Sequence, residues 1–433
     1  MTGSDGVSRR AFLGGLGAAA AAVAGDAVLG ASTTAGASTA RPSAALPEPA
    51  DSGIDHIIVV MMENRSFDHY LGWVPGADGR QKGLSYVGRD WRRRSTHHLR
   101  DTQGCAHPDP DHSYEGGRIQ LNGGACDGWL LSGENDDYAI GYYTGADLSF
   151  YGKAAPYWTV CDRYFSATMA QTYPNRLYQH SAQTDRISNT TATATMPTIW
   201  DRLADAGVSG TYYYGDVPFL ALYGTKYVGI SRPYPEFLAA AAAGTLPAVS
   251  FVDPRFTDEA SGTSADDHPH ADIRAGQAFL SQIYGAVTRG PGWGRTLLVV
   301  NYDEWGGFYD HVVPGTAPDA RPDLGTGLRG FRVPCLVVSP RARRRHVAHG
   351  VYDHTSVLKA IEWRWGLKPL TVRDSAANNL AAVLDFATPP KLAAPSIDVP
   401  PFVGQPCDPA TPADYEEWRA LARQARTHGF AMP

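Results

Sequence analysis

The feature of this sequence that most restricts its fold is an unbroken apolar run at residues 57–62. The run, IIVVMM, is rich in β-branched residues and has no polar alternation, which is typical of a strand buried on both faces of a parallel sheet. Glu63 and Asn64 follow it directly, and Asp68 and His69 come soon after. Because open α/β sheets bind ligands at the carboxyl ends of their strands, this position predicts a binding site.

The carboxylate of Glu63 needs a partner, because an unpaired buried carboxylate costs several kcal/mol. A bound cation would supply that partner. The alternative is that Glu63 pairs with Arg65 or another arginine and only caps a helix. Glu63 alone does not decide between these interpretations.

A second apolar run, TLLVVNY at residues 296–302, repeats the pattern and ends at Asp303 and Glu304. Two adjacent acids repel each other unless a cation or protons intervene. Two strands that each end in oxygen-bearing side chains favour a metal site over a simple ion pair.

Three polar side chains outside these strands are further candidates. Thr172 precedes Pro174 near a predicted helix start, where the helix dipole favours an anion such as phosphate; the alternative is that it only caps the helix. His112 and His268 lie in polar loops, where a histidine is usually a surface residue.

Length, charge and the N-terminus bound the class of protein. A chain of 433 residues can bury a large core, and a formal charge of −6 argues against a general nucleic-acid binder. The twin-arginine pattern SRRAFL at residues 8–13 precedes a weakly apolar stretch and a small-residue cleavage site. It predicts a signal peptide over residues 1–37 and a disordered linker over 38–50. An uncleaved anchor is the alternative, although the stretch is short for a membrane span.

The remaining periodicity predicts ordinary α/β elements, with long loops between residues 72 and 152. Cys105 and Cys126 flank one loop and are the expected disulfide, whereas Cys335 lies in an apolar strand and is expected to be buried. The basic run at 341–345 is a solvated loop or a site of attraction to anionic head groups. The other predicted strands are 211–214, 248–252 and 331–339, and the other predicted helices are 198–206, 272–289, 353–365 and 413–428.

Five motifs in order carry a family resemblance: ENRSFDH, TYPNRLYQHSA, DDHPHAD, DEWGGFYDHV and YDHTSVLKAIEWRWGL. Together they resemble the bacterial phospholipase C/acid phosphatase family of phosphoesterases, and plant non-specific phospholipases C are similar in the same segments. The resemblance implies an alkaline-phosphatase-like α/β fold, a mostly parallel central sheet flanked by helices on both faces. The catalytic domain would span residues 51–385, with residues 386–433 a Pro-rich tail and a C-terminal helix packed on it.

The resemblance also implies roles for individual residues. Thr172 matches the nucleophile, which is threonine in phospholipase-like members and serine in the acid-phosphatase branch. His112 and His268 match histidines that contact the phosphate. The ligands of one divalent metal ion would be Glu63, Asn64, Asp303 and Glu304. Such oxygen donors suit Ca²⁺, Mg²⁺ or Mn²⁺. Three further motif residues have no implied role: Asp310, His311 and His354.

Three functions therefore stay open at the level of sequence. The first is a secreted phospholipase C that cuts phospholipid to diacylglycerol and a phosphorylated head group. The second is an acid-phosphatase-type phosphomonoesterase, and the third is an inactive cell-envelope binding protein on the same scaffold. The expected partners are a phospholipid or a small phosphate ester and, transiently, a membrane surface, with no nucleic acid and no obligate protein partner.

Overall fold

A computed structural model describes residues 45–257, 259–408 and 416–432. The predicted signal peptide and most of the predicted linker lie outside these residues. Over these three ranges, every helix is too short or too polar to cross a lipid bilayer.

The structure is built on one large sheet and three small ones. The strands are β1 (His56–Met62), β2 (Ser85–Val87), β3 (Arg93–Ser95), β4 (His97–His98), β5 (Gly141–Tyr142), β6 (Thr159–Cys161), β7 (Tyr164–Phe165), β8 (Gly210–Tyr214), β9 (Ser231–Pro233), β10 (Val249–Asp253), β11 (Thr296–Tyr302), β12 (Cys335–Val338), β13 (His346–Ala348) and β14 (Tyr352–Asp353). The α-helices are α1 (Phe67–Leu71), α2 (Tyr114–Leu121), α3 (Tyr151–Ala154), α4 (Thr172–Ser181), α5 (Ile199–Asp205), α6 (Tyr234–Ala243), α7 (Ile273–Arg289), α8 (His354–Trp365), α9 (Val372–Ala376) and α10 (Glu416–Thr427).

The central sheet has eight strands in the order β13-β6-β12-β11-β1-β10-β8-β9. All neighbouring pairs are parallel except those of β12, which runs antiparallel to β11 and to β6. In the middle strands β1 and β11, side chains of both pleat directions are buried, so both faces of the sheet are covered. The predicted fold class is confirmed.

Two expectations from the sequence are wrong. The stretch between residues 72 and 152 is not all loop, because it contains the eight-residue helix α2, whose first turn is capped by Ser113. The disulfide partner of Cys105 is Cys407 and not Cys126. The Cα atoms of Cys105 and Cys407 are 6.2 Å apart. Cys126 instead packs as a buried free thiol in a small apolar cluster with Trp129. Cys335 is buried as expected.

Candidate active site

The two strands that end in acids are neighbours in the sheet. β1 and β11 are parallel and in register from His56 with Thr296 to Met62 with Tyr302. Glu63 and Asp303 therefore leave the same sheet edge side by side. The backbone N–H of Asn64 donates to Asp303 Oδ1 at 3.0 Å. The backbone of Asn64 also lies close to Gly306, where a side chain would not fit, since a Cβ there would stand 2.0 Å from the Asn64 carbonyl oxygen.

Asp109 and two histidines extend the site from that edge. His112 Nδ1 lies 2.7 Å from Glu304 Oε1 and 3.4 Å from Asn64 Nδ2. Asp109 Oδ2 is 3.6 Å from His112 Nε2 and 3.7 Å from His268 Nε2, so it stands between the two rings. Burial opposes a charge on His112, but the Glu304 and Asp109 carboxylates raise its pKa well above the usual value. Burial lowers the pKa of His268 to about 3.

Thr172 is the first residue of α4 and is 2% exposed. Its hydroxyl donates to Asn64 Oδ1 at 3.5 Å. The first turn of the helix is capped by another residue, because the N–H of Tyr173 donates to Asn189 Oδ1 at 2.7 Å. The position before the helix is Gln171, which makes no side-chain capping bond. The hydroxyl of Thr172 is therefore directed to the sheet edge and does not cap the helix.

Arg176, one turn after Thr172, is buried among three carboxylates. It lies 3.0 Å from Glu63 Oε1, 3.0 Å from Asp253 Oδ1 and 3.7 Å from Asp303 Oδ2. No role was predicted for this arginine, although its spacing of four residues from Thr172 places both on one helix face. One guanidinium cannot balance all three carboxylates.

Buried oxygen atoms at this edge test whether the predicted ligands fit a metal ion. Glu63 Oε2 and Asp303 Oδ2 accept no hydrogen bond from any residue that the structure describes. Burial raises the pKa of Asp303 to about 7 and, together with the Asp303 charge, raises that of Glu63 well above the usual value. Carboxylate and amide oxygens are the ligands that hard divalent cations take, so these residues fit such an ion.

The donor atoms fall into two tight groups around this edge. One comprises Glu63, Glu259 and His268, and the other Asp109, His112 and His268; within each group the atoms lie within 4.8 Å of one another. Within the described part of the chain, Glu63, Asp303 and Glu304 do not form such a group. The buried acids and histidines are thus positioned to bind a metal ion, while the predicted set of four ligands stays a prediction.

A cavity of about 110 Å³ opens beside these groups. It is lined by Glu63, Asp109, His112, Gln171, Thr172, Glu259, His268, Glu417 and Trp418. Five of these residues were not predicted from the sequence: Asp109, Gln171, Glu259, Glu417 and Trp418. Gln171 stands next to Thr172, and Asp109 lies in the acid- and histidine-rich HPDPDH stretch, so both could have been found, but the other three reach the cavity only through tertiary folding. A cavity of about 520 Å³ elsewhere is bordered by Arg94 and Asp137, which pair with each other at 2.8 Å.

The three motif residues without an implied role lie in two different parts of the structure: His354 contacts Asp303, whereas Asp310 and His311 belong to a second acidic cluster. His354 Nε2 lies 2.7 Å from the carbonyl oxygen of Asp303, so a hydrogen bond from this ring holds the Asp303 peptide group in position. Asp310 bonds Arg332 at 2.9 Å, and His311 Nδ1 lies 2.5 Å from Asp68 Oδ2. Arg332 also pairs with Asp68, so in this second acidic cluster each carboxylate has a basic partner within the fold.

We expect Arg176→Met to destabilise the fold by about 3–5 kcal/mol, because it leaves Glu63 and Asp253 buried without their cationic partner. Denaturant unfolding of the metal-free protein measures this. Arg92→Met is the matched control, since the Arg92 side chain is 85% exposed. An Arg176→Met protein within about 1 kcal/mol of the parent would contradict this account of the buried charges.

Comparison with known proteins gives the class of protein and then its family. The class is that of hydrolases acting on phosphoric esters, and the prediction of such an enzyme is confirmed. Residues 54–368 match the model of the Phosphoesterase family, and the chain belongs to that family.

Two relatives, from a bacterium and a plant, have names that agree with this assignment. The chain is 33% identical to phospholipase C B of Mycobacterium tuberculosis, over 92% of this chain and 89% of that protein. It is 29% identical to non-specific phospholipase C6 of Arabidopsis thaliana, over 79% and 74% of the two chains. A solved structure of a protein in the alkaline phosphatase superfamily from Vibrio parahaemolyticus is 12% identical over 70% of each chain, with a TM-score of 0.36.

Proposed function

We propose that the protein is a metal-dependent phospholipase C-type hydrolase that uses Thr172 as its nucleophile. The observation that carries the proposal is the position of Thr172. This residue is the first of α4, and it lines the same cavity as His112 and His268. Its bond to Asn64 joins it to the sheet edge where the buried carboxylates lie. Similarity to proteins named phospholipase C supports the phospholipase assignment.

The reaction needs two displacements at phosphorus. Thr172 Oγ attacks the phosphorus atom and passes its proton to His268, whose lowered pKa keeps the ring neutral, while the bond from phosphorus to the leaving alcohol breaks. His112, whose raised pKa keeps it protonated, donates a proton to the departing alcohol oxygen, which contributes about 10²–10⁴-fold. Water then attacks the phosphothreonine and gives one proton to His112, while the bond from phosphorus to Oγ breaks and Thr172 Oγ takes back the proton held by His268, so that the phosphate or phosphorylated head group leaves. The α4 dipole favours the negative charge on the phosphoryl group.

The cation would be held by the predicted ligands: Glu63, Asn64, Asp303 and Glu304. When bound, it supplies charge neutralisation of the phosphate and a lower pKa of the Thr172 hydroxyl. Asn64 orients two groups, because its side-chain oxygen accepts from Thr172 and its backbone N–H donates to Asp303. His354 fixes the Asp303 peptide from the other side.

A phosphomonoesterase acting on small soluble esters is the second candidate function. The small cavity favours it, because about 110 Å³ lies well below the roughly 300–1,000 Å³ of sites that enclose drug-sized ligands. A phospholipid would have to keep its acyl chains outside the cavity. The threonine at position 172 favours the phospholipase, because the resemblance associates serine with the phosphatase branch.

Assays with two substrates decide between the candidates. The purified protein is incubated with phosphatidylcholine vesicles and with p-nitrophenyl phosphate, each with and without EDTA. We expect release of diacylglycerol and phosphocholine that EDTA abolishes and added Ca²⁺, Mg²⁺ or Mn²⁺ restores. Hydrolysis of p-nitrophenyl phosphate alone would favour the phosphomonoesterase, and full activity in EDTA would overturn the metal requirement.

We further propose that the protein is exported by the twin-arginine route, with a mature chain that begins near Ser38. The motif lies outside the described residues, so the support is its sequence alone. We expect the Arg9→Lys/Arg10→Lys variant to stay in the cytoplasm as the precursor, as fractionation and immunoblotting would measure. Arg41→Lys, beyond the predicted cleavage site, should be exported normally. Export of the double variant at the parental level would remove the claim.

A further inference from the structure

The C-terminal helix α10 supplies two side chains to the cavity from the far end of the chain. Trp418 is 2% exposed and stacks on Phe256, with ring centroids 4.0 Å apart and planes 5° apart. Arg176 lies 4.6 Å from the centroid of the Phe256 ring. The indole of Trp418 also meets the ring of Tyr173 edge-on at 5.2 Å. Trp418 is therefore packed against the residues that surround the proposed nucleophile.

Glu417 connects α10 to the start of α4. Asn189 Nδ2 donates to Glu417 Oε1 at 3.1 Å, while Asn189 Oδ1 accepts from the N–H of Tyr173 at 2.7 Å. The backbone N–H of Asn189 also donates to Gln171 Oε1 at 3.0 Å. One asparagine thus holds the C-terminal helix and the first turn of α4 at a fixed separation.

The disulfide ties Cys407, in the described stretch that ends at residue 408, to two other sides of the cavity. Cys105 precedes Asp109 and His112 in the same loop, and its partner is Cys407. The N–H of Cys407 donates to the Ser261 carbonyl oxygen at 2.9 Å, next to the turn that carries Glu259. Gln103 Nε2 adds a bond of 2.7 Å to the carbonyl oxygen of Gln405.

We propose that Trp418 is a specificity-determining residue, and that α10 is a wall limiting how large a group esterified to phosphate the cavity accepts. The Cys105–Cys407 disulfide holds that wall in place. The inference rests on the proposed function, because it takes the cavity beside Thr172 as the phosphate site. Its physical basis is volume: the cavity is small, the indole is among the largest side chains that line it, and the surrounding rings keep the indole from moving aside.

Two esters with the same leaving group test this proposal. p-Nitrophenyl phosphate is a monoester, and p-nitrophenyl phosphorylcholine carries one more organic group on the same phosphorus. We expect Trp418→Ala to raise the ratio of kcat/KM for the diester to that for the monoester by about 10-fold or more, and Trp418→Phe to change it by less than about 3-fold. Trp91→Ala is the control, because Trp91 is 88% exposed and should leave the ratio unchanged.

Two further variants keep the test decisive. Trp418→Leu keeps an apolar side chain of smaller volume, so it decides by the same ratio if the alanine variant does not fold. Cys105→Ser/Cys407→Ser should raise the ratio in the same direction as Trp418→Ala, because the wall loses its tether. Thermal unfolding shows which variants are folded, and a folded Trp418→Ala or Trp418→Leu protein with the parental ratio would overturn the proposal.

Failure of this inference is distinguishable from failure of the proposed function. An unchanged ratio at position 418, with both activities lost in Thr172→Val, would overturn the role of Trp418 alone. Activity persisting in Thr172→Val would overturn the nucleophile assignment, whatever the ratio.

Discussion

Thr172→Val is expected to abolish turnover of phosphate esters while the protein stays folded. Valine removes the hydroxyl at almost constant volume, so the attacking oxygen is lost without a cavity in the core. The hydroxyl makes one hydrogen bond of 3.5 Å, to Asn64, so its loss should cost at most about 1 kcal/mol of stability. Turnover and the thermal midpoint, measured on the same preparation, check both statements.

Two matched variants control for the substitution at position 172. Thr172→Ser should keep appreciable activity, because it supplies the same oxygen. Thr168→Val removes a buried hydroxyl close by whose oxygen has no hydrogen-bond partner in the described ranges, and it should keep both activity and stability. A helix cap would give the opposite pattern for Thr172→Val, with stability lower by about 1 kcal/mol and chemistry intact. Turnover above a few per cent of the parent would end the covalent mechanism.

Asp303→Ala is expected to lose both the bound metal ion and the activity without unfolding. The substitution deletes a ligand from a site that concentrates negative charge. Burial raises the pKa of Asp303 to about 7, so ionised Asp303 is unfavourable in the metal-free fold. The metal-free variant should stay folded, because the removal of this unfavourable charge offsets part of the cost of losing the bonds from the N–H groups of Asn64 and Glu304. Added metal should no longer raise its thermal midpoint.

Metal content by elemental analysis, thermal shift with added metal and turnover are the three measurements for Asp303→Ala. Asp310→Asn is the matched control from the same motif, because Asp310 bonds Arg332 in the separate acidic cluster. It should keep the metal ion and lose only stability. Full metal occupancy and near-normal turnover in Asp303→Ala would show that Asp303 is not a metal ligand.

The strands and the sheet edge could be predicted because their sequence signals are local. The run TLLVVNY forms β11 with the predicted bounds. All seven of its residues are buried, as expected for a mostly apolar strand in the middle of a sheet. The acids that follow β1 and β11 lie together because parallel strands end at one edge. Helix α7 begins directly after Asp272, whose side chain caps it. A short acidic residue before an amphipathic run is a common sequence signal for a helix start.

Other parts of the site could not be predicted because they depend on contacts distant in sequence. The partner of Cys105 lies 302 residues away, and spacing within one loop favoured the wrong cysteine. Glu259 and Trp418 lie in segments without a chemical motif, so only the folded chain brings them to the cavity. His112 and His268 were singled out through the family resemblance, because a histidine in a polar loop is ordinarily a surface residue.

A covalent phosphothreonine on Thr172 can be detected by mass spectrometry of acid-quenched enzyme. Enzyme in excess is mixed with a phosphate ester and quenched at a series of times, with the released alcohol and the peptides quantified in each sample. We expect alcohol release to be accompanied by a phosphoryl group on the peptide carrying Thr172, assigned to that residue by fragmentation and absent in Thr172→Val. Release of a full equivalent of alcohol with the phosphoryl group on another residue, or with Thr172 unmodified at every time point, would contradict it.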